Sequence, residues 1–253
     1  MTAAFRMKTR NIDSAPVGAV KWLRTVAAIA TAGALVQCTS APPAPSPPPP
    51  ATSPPPAPTT TPPPPPLPAP KTVRPVTAAD LGASWRPGCP VTPQQLRRVD
   101  VDYLGFDGQS HHGELIVHED RVADVQAIFT DLRRLGYPIE RMRTVDHYPN
   151  ADDELSMRDN NTSAFNCRII PGTERWSEHA YGRAIDLNPL LNPYVGRTGA
   201  FQPGNAGPYL DRRRRDPGLL HDGDPAVRAF TDRGWAWGGY WRTVKDYQHF
   251  ERP

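Results

Sequence analysis

Four side chains able to bind a metal or move a proton stand in two short stretches near the C-terminal end of the chain. His179 and Asp186 lie in Ser177-Glu-His-Ala-Tyr-Gly-Arg-Ala-Ile-Asp186, and Asp246 and His249 in Asp246-Tyr-Gln-His-Phe-Glu251. Zinc takes imidazole nitrogen and carboxylate oxygen, and a catalytic zinc site uses three protein ligands and leaves a fourth position open. His179, Asp186 and His249 can supply three. Asp246, three residues before His249, is then a free carboxylate placed to act as a base, because a D-x-x-H pair on a bent strand or a single turn can aim both groups at one point. Glu251, two residues after His249, competes for the same role. Each signal is weak singly: a lone histidine on an apolar segment is usually a core or surface residue. The combination is more specific.

The run SEHAYGRAIDLNPLLNPY, followed by Trp237-Gly-Gly239 and DYQHFE, resembles the zinc D-alanyl-D-alanine carboxypeptidase family. That family includes VanY-like carboxypeptidases and L-alanyl-D-glutamate endopeptidases and shares its fold with the hedgehog signalling domain. Ser177, His179, Gly182, Ala184, Asp186, Asp246 and His249 match its signature, S-x-H-x-x-G-x-A-x-D and a distant (D/E)-x-x-H. The resemblance extends from Cys89 to Glu251 and is clear also in Asp159-Asn-Asn-Thr-Ser-Ala-Phe-Asn-Cys-Arg168. It implies a Zn2+ cofactor held by His179, Asp186 and His249, with Asp246 as general base. It also implies an upstream arginine that holds substrate and steadies the oxyanion. Arg168 is the first candidate and Arg143 competes with it. Ser163 and Asn161 are further polar candidates, and Ser177 could orient a ligand. Trp235, Trp237, Tyr240 and Trp241 are candidates for a cleft wall, with Trp237 carried forward as a substrate contact; a core role is the other placement for each.

Several elements must position these groups. Gly182 permits a tight path between His179 and the strand that carries Asp186. In that strand, alternation turns Ile185 and Leu187 to the core and Asp186 to the metal. Ala184 to Leu187 and Gly239 to Val244 read as strands. Upstream, Thr92-Pro93 opens a short helix running to Arg98, and a strand over 99–104 returns through a Phe106-Asp-Gly108 turn to a strand over 114–117. Val122, Val125, Phe129 and Leu132 recur at helical spacing, with Gly136 as the stop. Asp224-Pro225 opens a further short helix that Gly234 ends. Strands and helices mix without regular βαβ order, which predicts an α+β domain with a small antiparallel sheet and flanking helices.

The chain has 253 residues, 33 of them proline, far above the usual ~5 %. The prolines crowd residues 41–70, which therefore form an extended stalk with no core of its own. Ahead of it, Lys8, Arg10, Lys21 and Arg24 precede an apolar run over 26–36. At about eleven residues the run is too short to span a bilayer as a helix, so it reads as a cleaved export signal peptide. Leu35-Val-Gln-Cys38 resembles a lipoprotein lipobox, with Gln37 departing from the small residue usual there; lipidation of Cys38 and ordinary secretion both fit. The expected layout is signal over 1–38, stalk over 39–75 and zinc peptidase domain over 76–253. Cys89 and Cys167 are the remaining cysteines and suit one disulfide in an oxidising compartment. A net charge of +3 argues against a nucleic-acid partner. The sequence therefore predicts an exported metallopeptidase of the cell envelope whose partner is the peptidoglycan stem peptide, with an N-terminal lipid as one route to the membrane. It would be a hydrolase trimming terminal D-Ala or an endopeptidase of the L-Ala-D-Glu type. The rival reading is a cell-wall binding module that keeps zinc without catalysis.

Overall fold

The computed structural model describes residues 72–253; the N-terminal run that reads as an export signal, Cys38 and the proline-rich stretch lie outside the described residues. The elements in chain order are β1 (Val73–Pro75), α1 (Ala78–Leu81), β2 (Leu96–Leu104), β3 (Ser110–His118), α2 (Val122–Arg134), β4 (Arg141–Met142), α3 (Asp153–Arg158), β5 (Asn161–Thr162), β6 (Ala184–Asp186), β7 (Tyr194–Val195), β8 (Phe201–Gln202), α4 (Pro225–Thr231), β9 (Ala236–Trp237), β10 (Lys245–Asp246) and β11 (His249–Glu251). The class is α+β, with small antiparallel sheets ordered β1-β2-β3, β10-β7-β8 and β6-β11-β9, and one parallel pair, β4-β5.

The long hairpin β2-β3 pairs in register from Leu96 with His118 to Leu104 with Ser110. Val99, Val101, Tyr103, Leu115 and Val117 turn to one face and are buried there against Val125, Ile128, Phe129 and Leu132 of α2. These four are the apolar stripe of a 13-residue helix, whose end follows the predicted stop: Gly136 has φ +70° and the Tyr137 N–H bonds the Leu132 carbonyl. The same core takes in Val227 and Phe230 of α4, Ile185, Leu187, Trp235, Trp237 and Phe250. Each such side chain contributes roughly 1.5–3 kcal/mol through burial. A second cluster of Val76, Leu81, Val91, Leu96, Ile116 and Phe165 forms on the other side of the hairpin. The Cys89–Cys167 disulfide, Cα to Cα 5.9 Å, ties that cluster to the segment before the metal motif.

Three element expectations need correction. Thr92 and Gln95 do form a capping box, but the turn is a single 3-10 turn, Pro93–Gln95, and not a helix to Arg98. Leu96, Arg97 and Arg98 already belong to β2, because pairing with β1 and β3 on both sides outweighs the helical start signal. Folding also begins earlier than residue 76, since Val73–Pro75 pairs with β2. The stretch from Gly239 to Val244 is not a strand: Gly238–Tyr240 is a 3-10 turn and the strand is only Lys245–Asp246. A Cβ on Gly238 would lie 2.5 Å from the Asp246 backbone oxygen, and one on Gly239 2.4 Å from the Trp237 ring. Both glycines therefore serve close packing, which straight strand geometry would not allow.

Candidate metal centre

His179 sits in a 3-10 turn, Glu178–Tyr181, whose N-cap is Ser177; the Ser177 hydroxyl oxygen accepts the His179 backbone N–H. Gly182 closes the turn at φ +69°, and a Cβ there would lie 2.6 Å from the His118 nitrogen. Position 182 thus needs glycine twice over, for conformation and for space. Four residues later the chain reaches Asp186 in β6. In the antiparallel pair β6-β11, Asp186 stands directly opposite His249. Alternation puts Asp186, His249 and Glu251 on one face, while Ile185 and Phe250 pack into the core on the other.

The three side chains converge. His179 Nε2 is 3.2 Å from His249 Nδ1, His249 Nδ1 is 3.0 Å from an Asp186 oxygen, and His179 Nε2 is 3.2 Å from the other. All three residues are buried. Among the described residues they are the one group of three or more His, Cys, Asp or Glu that could hold an ion. Their outer contacts fix which ring nitrogens face inward. His179 Nδ1 lies 2.5 Å from the Ala164 carbonyl oxygen; a carbonyl only accepts, so the proton is on Nδ1 and Nε2 presents a lone pair. His249 Nε2 lies 3.1 Å from Glu251 Oε2, which likewise leaves Nδ1 inward. Two ring nitrogens and a carboxylate crowded together need positive charge among them, from a cation or from ring protons: burial works against the charge on His249, but Asp186 and Glu251 hold its pKa up to about 10. The tetrahedral edge built on ~2.0–2.1 Å bonds to zinc is about 3.3 Å, close to the spacings found. The donor set, its geometry and its outer hydrogen bonds fit zinc.

Residues 171–252 match the family model for D-alanyl-D-alanine carboxypeptidase. The chain matches no curated protein and no solved structure. The matched segment contains all seven signature positions and supports the carboxypeptidase resemblance there; the resemblance read from Cys89 to Ile170 lies outside the match.

Around this carboxypeptidase-like centre, Asp246 ends β10, which pairs with β7, while His249 begins β11, which pairs with β6. The chain passes from one sheet to another between them, and that bend turns the D-x-x-H pair toward a common site. Burial pushes the Asp246 carboxyl up to about 6; the His249 charge opposes the shift and the Asp186 charge adds to it. Asp246 Oδ1 is buried and has no hydrogen-bond partner among the described residues. Such an oxygen suits a group that must take a proton from a reactant.

Arg168 follows Cys167 directly and is 3.0 Å from Asp153 at the start of α3. Burial works against its charge, but Asp153, Asp186 and Asp246 together hold its pKa above the usual value. The field of Arg168 therefore acts on Asp186 and on Asp246. Arg143 is exposed, its backbone N–H and C=O both engaged by the Asn161 side chain, and its charge acts on Tyr148 and Asp159. Asn161 thus braces β4 against β5 and is no substrate contact. Ser163 is buried and exchanges both backbone hydrogen bonds with Asp186, which steadies that ligand.

Trp237 is a correction. It is only 2 % exposed, donates its indole N–H to the Tyr247 carbonyl and stacks on Phe250, so it offers no face to a substrate. Trp235 is equally buried. The tryptophan at the centre is Trp241, half-buried with its ring centroid 5.4 Å from that of His249. Glu251 binds the outer nitrogen of His249, which removes it as a rival base. Arg212, the first of four consecutive arginines, donates to the Leu191 and Leu220 carbonyls and to Asn192 Oδ1. Its guanidinium lies 4.4 Å from the centroid of the Tyr247 ring, bracing the link from Asp246 to His249. Nothing in the run of four arginines marks the first as different. Asp153 also went unnoticed, since an acidic residue opening a helix is ordinary.

Proposed function

We propose that this protein is a zinc peptidase of the cell envelope that hydrolyses an amide bond in peptidoglycan stem peptides. The observation that carries the reading is the convergence of His179 Nε2, His249 Nδ1 and Asp186 at 3.0–3.2 Å, with the other nitrogen of each ring engaged by the Ala164 carbonyl or by Glu251. His179, Asp186 and His249 would hold the ion. Zinc bound there supplies Lewis acidity toward a peptide carbonyl and brings the acidity of water to near neutral.

The side chains of the chain do the rest. Asp246 accepts a proton on its unpartnered oxygen and later returns it to the leaving amine, a task suited to a carboxyl group held near 6. Arg168 presents a fixed positive charge to the oxygen that becomes negative as the amide is attacked, and Asp153 keeps that guanidinium in place. The disulfide, the signal-like N-terminus and the proline-rich stretch support export to the wall, whether lipid-anchored through Cys38 or secreted.

The deciding experiment is digestion of purified peptidoglycan fragments with zinc-loaded protein, followed by mass spectrometry. Loss of a terminal D-Ala identifies a carboxypeptidase, and cleavage within the stem an endopeptidase. Protein that holds zinc and binds wall fragments without cutting them would replace this reading with the wall-binding one.

A further inference from the structure

The geometry points to Glu251 as a positioning residue of the metal centre: its carboxylate keeps the His249 proton on Nε2 and so presents the Nδ1 lone pair to a bound divalent cation. This rests on the zinc reading above and deepens it.

Two carboxylates flank the His249 imidazole, one at each nitrogen. Asp186 lies 3.0 Å from Nδ1 of His249, and Glu251 lies 3.1 Å from Nε2. A cation can use Nδ1 only when that nitrogen carries no proton, which leaves the one ring proton on Nε2, where Glu251 accepts its hydrogen bond. The backbone sets up this arrangement. His249 and Glu251 are two apart in β11 and share a face, while Phe250 between them is fully buried in the core and holds the strand's orientation. His179 has the same arrangement by other means, its Nδ1 proton fixed by the Ala164 carbonyl. Each ring therefore has one outer acceptor and shares Asp186 as an inner neighbour, but only for His249 is the outer acceptor a carboxylate. Glu251 touches the nitrogen across the ring from the ligand atom, so it acts on the metal through His249 and not on the substrate.

The test compares the full-length protein with Glu251→Gln and Glu251→Ala. Zinc dissociation constants are measured by chelator competition. The Nε2 proton of His249 in the zinc-loaded protein is followed by long-range nitrogen–proton NMR. The expected result is a dissociation constant about 10- to 100-fold higher for Glu251→Ala, and a smaller rise for Glu251→Gln, whose amide oxygen still accepts a hydrogen bond. The His249 Nε2 proton should be protected from exchange in the zinc-loaded wild type and exchange faster in Glu251→Ala. The backbone pairs of Glu251 with Ala184 and Ala236 do not depend on its side chain, and the Gln variant gives a near-isosteric control for folding. Unchanged zinc affinity in Glu251→Ala would overturn the proposal. So would unchanged affinity with turnover lost at saturating zinc, which would make Glu251 a base. A wild-type protein that binds no zinc would instead bring down the peptidase reading itself.

Discussion

Nδ1 of His249 lies within 3.2 Å of both other ligands, and the outward commitments of the two rings decide what the cluster can hold. Removing a ligand and removing the base should therefore have separable effects. His179→Ala and His249→Ala are expected to lose zinc, measured as metal content after gel filtration. Asp246→Ala should keep zinc and lose turnover by about 10²- to 10⁴-fold, the range of general-base catalysis; full activity in that variant would take Asp246 out of the mechanism. Arg168 tests differently. Its guanidinium is paired with Asp153 and its charge acts on Asp186 and Asp246, so Arg168→Ala should lower kcat by about 10²- to 10³-fold with zinc retained. An Arg143→Ala variant, altered at an exposed side chain, should match the wild type in the same assay.

The strand β11 does two jobs at one-residue spacing, and its stability is inseparable from the site. His249 and Glu251 face the metal centre while Phe250 stacks on Phe230 at a centroid distance of 3.8 Å and on Trp237 at 6.3 Å. Phe250→Ala should cost about 3–5 kcal/mol, as for a large core aromatic removed from close packing. The loss is to be read from urea denaturation of metal-free protein, so that zinc binding does not mask it. A midpoint unchanged from the wild type would mean that the sheet β6-β11-β9 is held by its edges and not by this core. The turn around His179 is held in the same way by local detail. Ser177 caps it, Gly182 reverses it, and the Gly182 carbonyl accepts the His118 N–H, anchoring the turn to the end of β3.

Across the whole domain, the disulfide joins residues 78 apart in sequence and fixes the segment that ends in Arg168. Replacing Cys89 and Cys167 by serine should destabilise the domain by about 2–5 kcal/mol, through the larger freedom of the unfolded chain; calorimetry of the two forms measures it, and equal melting temperatures would show the cross-link to be energetically idle. Much of this organisation was legible beforehand. The α2 stripe, its glycine stop, the hairpin, the cysteine pair and the alternation around Asp186 are all local patterns or simple counting, and the candidate ligands were legible from residue type together with the family signature they match. What it could not contain was the outcome of long-range competition: that β pairing would claim Leu96 to Arg98 from a capped helix start, that Trp237 would be buried while Trp241 stands beside His249, and that Arg212 would leave its arginine run to brace Tyr247. Likewise, Glu251 has the makings of a base by composition and becomes a partner of His249 only through its place in β11. Sequence determines which atoms are available and how neighbouring side chains alternate. Which of them meet is decided by burial and pairing between segments tens of residues apart, and only the folded chain resolves that.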